Sequence, residues 1–274
     1  MKAPYPPWTA KAMDDPDYFQ TPTIPVDEEW IDALKSGVDL SFHSLFRMLH
    51  TCEMVLGREP SLIRLEHSFP TENYESVVIV GDLHGDFVSL KRVLEKFSPK
   101  KHLLIFLGDY VDRGPEQLKC INTILINKLI YSGSIITLRG NHESPVVNYN
   151  YGFFTEVAKK YEKEFLFVFT KYNEVFSQMP YGVVLENYGL LLIHGGLAKG
   201  LENMDEPLHY LSLLPKKDLI PTDEMAFQVL WNDPREGIDE VGFLPSARGE
   251  GCYYFSGKVT REFLEKSGLR AIVR

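Results

Sequence analysis

The sequence has little of what marks secreted or membrane proteins. It contains three cysteines in 274 residues, and Cys52, Cys120 and Cys252 stand far apart with no paired spacing. They predict neither a disulfide framework nor a zinc knuckle, so we expect a reducing compartment. The N-terminus lacks the apolar core of a signal peptide, and no apolar run approaches the length of a membrane span. These absences favour a cytoplasmic protein, or a nuclear one if the source is a eukaryote.

The sequence also lacks an excess of positive charge. Its formal net charge of −9 argues against nucleic acid or a membrane surface as a partner, because such partners are bound by clustered Lys and Arg. An acidic chain can still hold a phosphate in one cleft that contains a few arginines and a metal ion. The length and the 44% hydrophobic residues predict a globular core in one large domain.

Prolines divide the chain near its start. Residues 1–26 carry six of them with several aspartates, which predicts a proline-rich, extended arm.

The spacing of apolar residues predicts helical structure from residue 27 to Gly57. Between residues 77 and 138, short apolar segments alternate with amphipathic helices, which is typical of parallel strands joined by right-handed crossovers. Residues 183–193 predict a hairpin of a second sheet, and residues 199–226 predict an irregular, acidic excursion.

Four of the predicted strands end in glycine-bracketed sets of Asp, Asn, His or Arg. Parallel strands gather ligands at their carboxyl ends, so we expect these four segments to build one pocket. The segments are Gly81–Asp86, Gly108–Pro115, Arg139–Glu143 and His194–Leu197.

The side chains in these segments narrow the choice of ligand. Carboxylates, an amide and imidazoles without a thiolate favour Mn²⁺, Fe or Zn²⁺. Enough ligands exist for two ions that share one carboxylate, an arrangement suited to in-line phosphoryl displacement. Arg113 has the planar fork of a phosphate clamp, the alternative being a surface ion pair with Asp112 or Glu116.

These four segments resemble the signature motifs of the PPP family of serine/threonine protein phosphatases, within the calcineurin-like metallophosphoesterase superfamily. The resemblance extends to Tyr151–Phe153, Leu230–Pro234 and Arg248, and covers roughly residues 60–274. It implies an α/β fold in which two mixed β-sheets form a metallophosphoesterase-type sandwich flanked by helices. Residues 27–274 would then be a metallophosphatase catalytic domain.

The resemblance also implies a role for individual residues. Its metal ligands would be Asp82, His84 and Asp109 for the first ion, with Asp109 bridging to a second ion that is also bound by Asn141 and His194. The implied reaction is hydrolysis of phosphoserine and phosphothreonine in proteins by direct attack of a metal-bridging hydroxide. Phosphoproteins would be the substrates, and regulatory proteins are expected partners.

The remaining implied roles concern the phosphate and the leaving group. His142, paired with Asp112, would be the general acid, because a carboxylate helps a histidine to hold its proton near neutral pH. Arg113 and Arg248 would hold the phosphate with help from Asn141. We also expect Glu143 to orient the loop that bears His142.

One departure concerns the end of the sequence. The resemblance implies a further metal-binding histidine and a tyrosine after the last strand, whereas the sequence ends at Arg274. We interpret the chain as lacking the C-terminal segment of the family, and we expect an incomplete second metal site.

Two alternatives stay open. One is a hydrolase like diadenosine tetraphosphatase, against which Tyr151–Phe153 and Leu230–Pro234 favour a protein phosphatase. The other is a non-catalytic protein that binds phosphoproteins. His142, Asp112 and Arg113 argue against the second alternative, because a pure binder has no use for a leaving-group acid.

Overall fold

The computed structural model describes residues 27–37, 39–66, 70 and 74–274. The predicted proline-rich arm, residues 1–26, lies outside the described residues. The described helices are α1 (Glu28–Ser36), α2 (Phe42–Gly57), α3 (Phe87–Lys96), α4 (Gln117–Ile130), α5 (Pro145–Asn148), α6 (Phe153–Tyr161), α7 (Phe165–Ser177), α8 (Pro207–Ser212), α9 (Glu224–Trp231) and α10 (Gly257–Ser267). The strands are β1 (Leu62–Leu65), β2 (Ser76–Val80), β3 (His102–Phe106), β4 (Ile135–Thr137), β5 (Gly182–Leu185), β6 (Leu190–Ile193), β7 (Asp233–Pro234), β8 (Phe243–Pro245), β9 (Tyr253–Phe255) and β10 (Ala271–Val273).

The first sheet is parallel, as the alternating pattern predicts. Its strand order is β2-β3-β4, and Ile105 pairs with Ile79 on one side and Ile136 on the other. Helices α3 and α4 connect the three strands. All three strands therefore deliver their carboxyl ends to the same edge.

The second sheet is mixed and has the order β1-β5-β6-β10. Strands β5 and β6 form the predicted antiparallel hairpin, while β1 runs parallel to β5 and β10 parallel to β6. A third, small sheet has the order β7-β9-β8. The predicted sandwich is confirmed, although within the described residues one of its two sheets is parallel throughout and not mixed.

Alternating side chains on the strands divide the core into layers. Leu103, Ile105 and Leu107 face the second sheet and pack with residues such as Val183. Leu104 and Phe106, on the opposite face of β3, pack under helices α2, α4 and α7. A further apolar cluster lies between the second sheet and helices α8, α9 and α10. The order of layers is thus helix, sheet, sheet, helix.

The expectation of irregular structure over residues 199–226 is wrong in part. Helix α8 occupies Pro207–Ser212, and α9 begins at Glu224. The start signals were present, because Pro207 stands in the first turn of α8 and the Asp223 side chain caps α9 by accepting the N–H of Ala226. Helices of 6 and 8 residues contain too few turns to show a clear apolar period.

Among the residues that the structure describes, each helix is too short or too polar to cross a bilayer. The cysteines match the sequence interpretation, since Cys52, Cys120 and Cys252 are buried and free of disulfides.

The packing between the two sheets gives a prediction for Ile105. This side chain is fully buried, so Ile105→Ala should lower the free energy of unfolding by about 2–5 kcal/mol through lost burial and a residual cavity. Leu213→Ala, at a side chain that is 64% exposed, should change it by less than about 0.5 kcal/mol. Urea unfolding of both variants measures the difference, and equal effects would contradict the assigned core.

Candidate active site

The four predicted segments meet at the carboxyl ends of β2, β3, β4 and β6. The first three strands belong to the parallel sheet, and β6 belongs to the mixed sheet. The two sheets are joined at this point, because His194 Nδ1 after β6 lies 3.0 Å from the carbonyl oxygen of Leu107 after β3. The site therefore spans both sheets of the sandwich.

The backbone of these loops is folded unusually tightly. Four non-glycine residues in these loops, His84, Asp109, Asp112 and Arg113, have φ between 45° and 71°, in the left-handed region. Such conformations cost on the order of 1 kcal/mol or more each and persist where the surrounding structure fixes them. Their concentration in two loops indicates a functional site.

Glu143 joins the loops after β3 and β4. Its buried carboxyl group accepts the N–H groups of Asp109 at 2.7 Å, Tyr110 at 2.9 Å and Gly140 at 2.9 Å. Burial, reinforced by the charge of Asp109, raises the pKa of Glu143 well above its ordinary value. A Cβ atom on Gly140 would lie 2.3 Å from Asp109 Oδ1, so only glycine allows the loops to approach this closely. Glu143 thus orients the loop that bears His142, as expected.

Asp82, His84 and Asp109 form the first group of candidate metal ligands. His84 Nδ1 lies 2.8 Å from the carbonyl oxygen of Val111 and must donate to it. In the neutral ring the lone pair of Nε2 then faces the carboxylates, 3.5 Å from Asp109 Oδ2 and 4.0 Å from Asp82 Oδ2. This Nε2 is buried without a hydrogen-bond partner among the described residues. A cation among these acceptors would satisfy it.

His194, Asn141 and Asp109 form the second group. His194 Nδ1 donates to the carbonyl oxygen of Leu107, so in the neutral ring Nε2 also presents a lone pair, 3.1 Å from Asn141 Oδ1 and 3.4 Å from Asp109 Oδ1. Turning the Asn141 amide over would place an N–H there that hydrogen-bonds the same atoms. His84 and His194 share one arrangement: a backbone carbonyl holds Nδ1, and Nε2 faces Asp109. This arrangement indicates a metal site whichever way the Asn141 amide is turned.

Asp109 lies between the two groups. Its Oδ2 faces His84 and its Oδ1 faces His194, and the side chain is nearly inaccessible to solvent. Asp109 belongs to two sets of candidate ligands, one with His84 and His142 and the other with Asp82 and His194, and within each set the ligand atoms lie within 4.8 Å of one another. A carboxylate in this position can bridge two ions, and the donor set suits Mn²⁺, Fe or Zn²⁺.

His142 is held from both ring nitrogens. Its Nδ1 lies 2.6 Å from Asp112 Oδ2, and its Nε2 lies 3.0 Å from a terminal nitrogen of Arg113. Both His142 and Asp112 are buried, whereas Arg113 is exposed. Because a guanidinium can only donate, Nε2 is an acceptor in this arrangement. The ring of Tyr151, itself exposed, packs edge-on against His142 at 5.4 Å.

Arg248 stands apart from this cluster. It is exposed and bound through two nitrogens to Asp233, at 2.5 and 3.2 Å. Asp233 also accepts from Arg274 at 2.7 Å. Within the described residues, Arg248 is hydrogen-bonded to Asp233 and Ser246, and no hydrogen bond or ion pair joins it to His142 or Asp109.

Some contributors to the site carry no sequence signal. The carbonyl groups of Leu107 and Val111 fix the tautomers of the two histidines, but any residue type could supply them. Among the aromatic residues near the site, Phe153 is buried, whereas Tyr149 and Tyr151 are more than half exposed.

Residues 76–274 match the family model for calcineurin-like phosphoesterases. The chain belongs to this family. It is 33% identical over 225 residues to a probable serine/threonine-protein phosphatase of Encephalitozoon cuniculi, covering 82% of this chain and 47% of the relative. It is 31% identical over 229 residues to a PP2A-like serine/threonine-protein phosphatase of Candida albicans, covering 83% of this chain and 51% of the relative. The chain thus spans about half the length of these two curated relatives.

Two further comparisons cover more of the matched protein. The catalytic subunit of serine/threonine-protein phosphatase 4 of Saccharomyces cerevisiae is 30% identical over 245 residues, which are 89% of this chain and 73% of the relative. A solved structure of a protein serine/threonine phosphatase of the same yeast, described as similar to human phosphatase PP5, superposes with a TM-score of 0.76 at 27% identity. That match covers 90% of this chain and 76% of the solved one.

The position of Asp109 between the two groups gives a prediction for metal binding. Asp109→Asn should weaken Mn²⁺ binding by about 10-fold or more at both groups, because it removes a charged ligand that faces each of them. His194→Ala should weaken binding at the second group while His84→Ala affects the first. Calorimetric titration with Mn²⁺ distinguishes these outcomes, with the exposed Asp239→Asn as a control of equal charge change. Unchanged binding in Asp109→Asn would refute the shared-ligand arrangement.

Proposed function

We propose that this chain hydrolyses phosphoserine and phosphothreonine in proteins with the help of two divalent ions. The observation that supports this most directly is the His142–Asp112 pair, with Arg113 against it, beside two ligand groups that share Asp109. A binding protein gains nothing from a leaving-group acid, whereas a phosphomonoesterase needs one to expel an alkoxide. The three relatives described above are named serine/threonine-protein phosphatases, which agrees with this substrate class.

In this proposal Asp82, His84 and Asp109 hold one ion, and Asp109, Asn141 and His194 contribute to the second. Mn²⁺, Fe or Zn²⁺ ions bound there would generate the nucleophile from water at neutral pH and offset charge on the phosphoryl group. That the ions are Mn²⁺, Fe or Zn²⁺ is itself part of the proposal and follows from the carboxylate, amide and imidazole ligands.

Arg113 links substrate binding to acid catalysis. Its guanidinium now donates to His142 Nε2, and a phosphate dianion is a stronger partner for the same planar fork. When Arg113 turns to the phosphate, Nε2 becomes free to take up a proton from solvent and to donate it to the leaving serine or threonine oxygen. Asp112 keeps Nδ1 protonated and the ring aligned throughout this step. Asn141 and Arg248 add further phosphate contacts, the latter after it turns from Asp233.

The cellular setting is part of the same proposal. We infer a catalytic domain over residues 27–274 with residues 1–26 as an arm, in the cytoplasm or nucleus. Phosphoproteins are the proposed substrates, and regulatory proteins are proposed partners because one relative is named a catalytic subunit. Nucleic acid and membrane surfaces are not among the proposed partners, given the net charge of −9.

The test is hydrolysis of a phosphoserine peptide with Mn²⁺ present, with a dinucleoside polyphosphate as the competing substrate. Phosphopeptide turnover is expected. Cleavage of the dinucleoside polyphosphate alone would favour the diadenosine-tetraphosphatase-like alternative. Bound ions with neither activity would reject the enzyme hypothesis in favour of a binding protein.

His142→Asn separates the acid from the metal ligands. It should lower kcat on the phosphoserine peptide by about 10²- to 10⁴-fold, the usual contribution of a general acid, while Mn²⁺ binding stays as in the unsubstituted chain. His209→Asn, at an exposed histidine, is the matched control and should leave both quantities unchanged. Full turnover of the phosphoserine peptide by the His142→Asn variant would refute the role of His142 as the general acid.

A further inference from the structure

The alignment of His142 depends on Asp112, and Asp112 is held in a costly conformation. Its φ is 71°, in the left-handed region, and its side chain is fully buried. Its Oδ2 accepts from His142 Nδ1 and its Oδ1 accepts the N–H of Phe153 at 3.1 Å. Its carbonyl oxygen accepts the N–H of Gly114 at 2.8 Å. Each of these atoms is therefore fixed by a partner.

The remaining polar group of Asp112, its backbone N–H, is bound by a side chain. It donates to Gln117 Oε1 at 2.7 Å, and Gln117 is only 5% exposed. The left-handed turn keeps this N–H out of any regular ladder, so without Gln117 a buried donor would lose its partner. Apart from His142, Gln117 is thus the side chain through which substitution can disturb the hydrogen bonds of Asp112.

Gln117 is itself fixed by the start of two helices. It is the first residue of α4, and its N–H donates to Glu156 Oε2 at 3.0 Å, while the N–H of Leu118 donates to Glu156 Oε1 at 2.9 Å. Glu156 lies on α6, whose first residue, Phe153, donates to Asp112. Asp112 is therefore bound to Gln117 of α4, Gln117 to Glu156 of α6, and Phe153 at the start of α6 back to Asp112.

The Gln117 side chain also packs against the loop after β2. A Cβ atom on Gly85 would lie 2.7 Å from Gln117 Cγ, so the loop that follows His84 packs closely against this glutamine. Gly152, before α6, lies on its other side, because a Cβ there would be 3.2 Å from Gln117 Nε2. A single side chain thus lies against the loop that bears His84, the loop that bears Asp112 and the segment that precedes α6.

From these contacts we propose that Gln117 is a positioning residue for the general acid: it holds the backbone of Asp112, and through Asp112 the imidazole of His142, in line with the leaving-group oxygen. The inference rests on the proposed function. It assigns a role to a residue outside the four polar segments, for which the sequence pattern gave no indication.

A positioning role predicts an effect that depends on the leaving group. The alkoxide of serine leaves poorly without a proton, whereas p-nitrophenolate leaves readily, so only the first reaction needs an aligned acid. Gln117→Met keeps the side-chain length and removes the acceptor. It should lower kcat on a phosphoserine peptide by about 5- to 30-fold, with kcat on p-nitrophenyl phosphate within about 2-fold of the unsubstituted chain and KM for the peptide little changed.

Two controls separate positioning from general loosening. Gln178→Met replaces another nearly buried glutamine, 7% exposed at the end of α7, and should affect neither substrate. In a His142→Asn background, Gln117→Met should have no further effect on peptide turnover, because the acid that it positions is gone. Gln117→Ala tests the same lost acceptor if the methionine variant does not fold.

The possible results are distinct. Equal slowing of both substrates by Gln117→Met or Gln117→Ala, or a full additional loss in the His142→Asn background, would overturn the positioning role and leave the proposed function standing. An unsubstituted chain that hydrolyses neither phosphate ester would instead reject the proposed function itself.

Discussion

The site depends first on one buried carboxyl group that binds backbone rather than substrate. Glu143 accepts three N–H groups from the loops after β3 and β4, the loops that also carry Asp109, Asn141 and His142. Burying an ionisable group is unfavourable unless hydrogen bonds compensate, and the raised pKa of Glu143 reflects this cost. The compensation comes from donors that a tight turn would otherwise leave unpaired. The loop geometry and the buried carboxyl group therefore stabilise each other, and the backbone that carries the candidate ligands is held in one conformation.

Much of the fold could be predicted from the sequence, because its strands are short, apolar and bounded by glycine. The parallel order of β2, β3 and β4 follows from the helices between them, and the β5–β6 hairpin from its turn residues. The convergence of Asp82, His84, Asp109, Asn141, His142 and His194 follows from their common position after strands. Their assigned roles stay predictions, since proximity in the structure is not binding or turnover. Helices α8 and α9 were not predicted, because an apolar period becomes visible only over more turns than these helices contain.

Other parts of the site depend on long-range packing that no local pattern contains. Arg248 was assigned to the phosphate by resemblance, but its guanidinium is bound to Asp233, a pairing between residues 15 positions apart in the chain. Gln117 reads in sequence as an ordinary helix-start residue. Its contact with Asp112 arises because the chain reverses over the four intervening residues and because Glu156 of α6 accepts the N–H of Gln117 at the start of α4. Such contacts are decided by tertiary structure, where side-chain identity at one position has no signature of its own.

The two histidines that flank Asp109, His84 and His194, are both oriented by main-chain atoms, which bears on how substitutions affect the site. Their Nδ1 atoms are oriented by the main-chain carbonyls of Leu107 and Val111, where many metal sites use a carboxylate side chain instead. A substitution at residue 107 or 111 changes the side chain and leaves the main-chain carbonyl in place. The orientation of these two candidate ligands is therefore insensitive to which side chain occupies either position, whereas a candidate ligand itself cannot be exchanged without losing its donor atom.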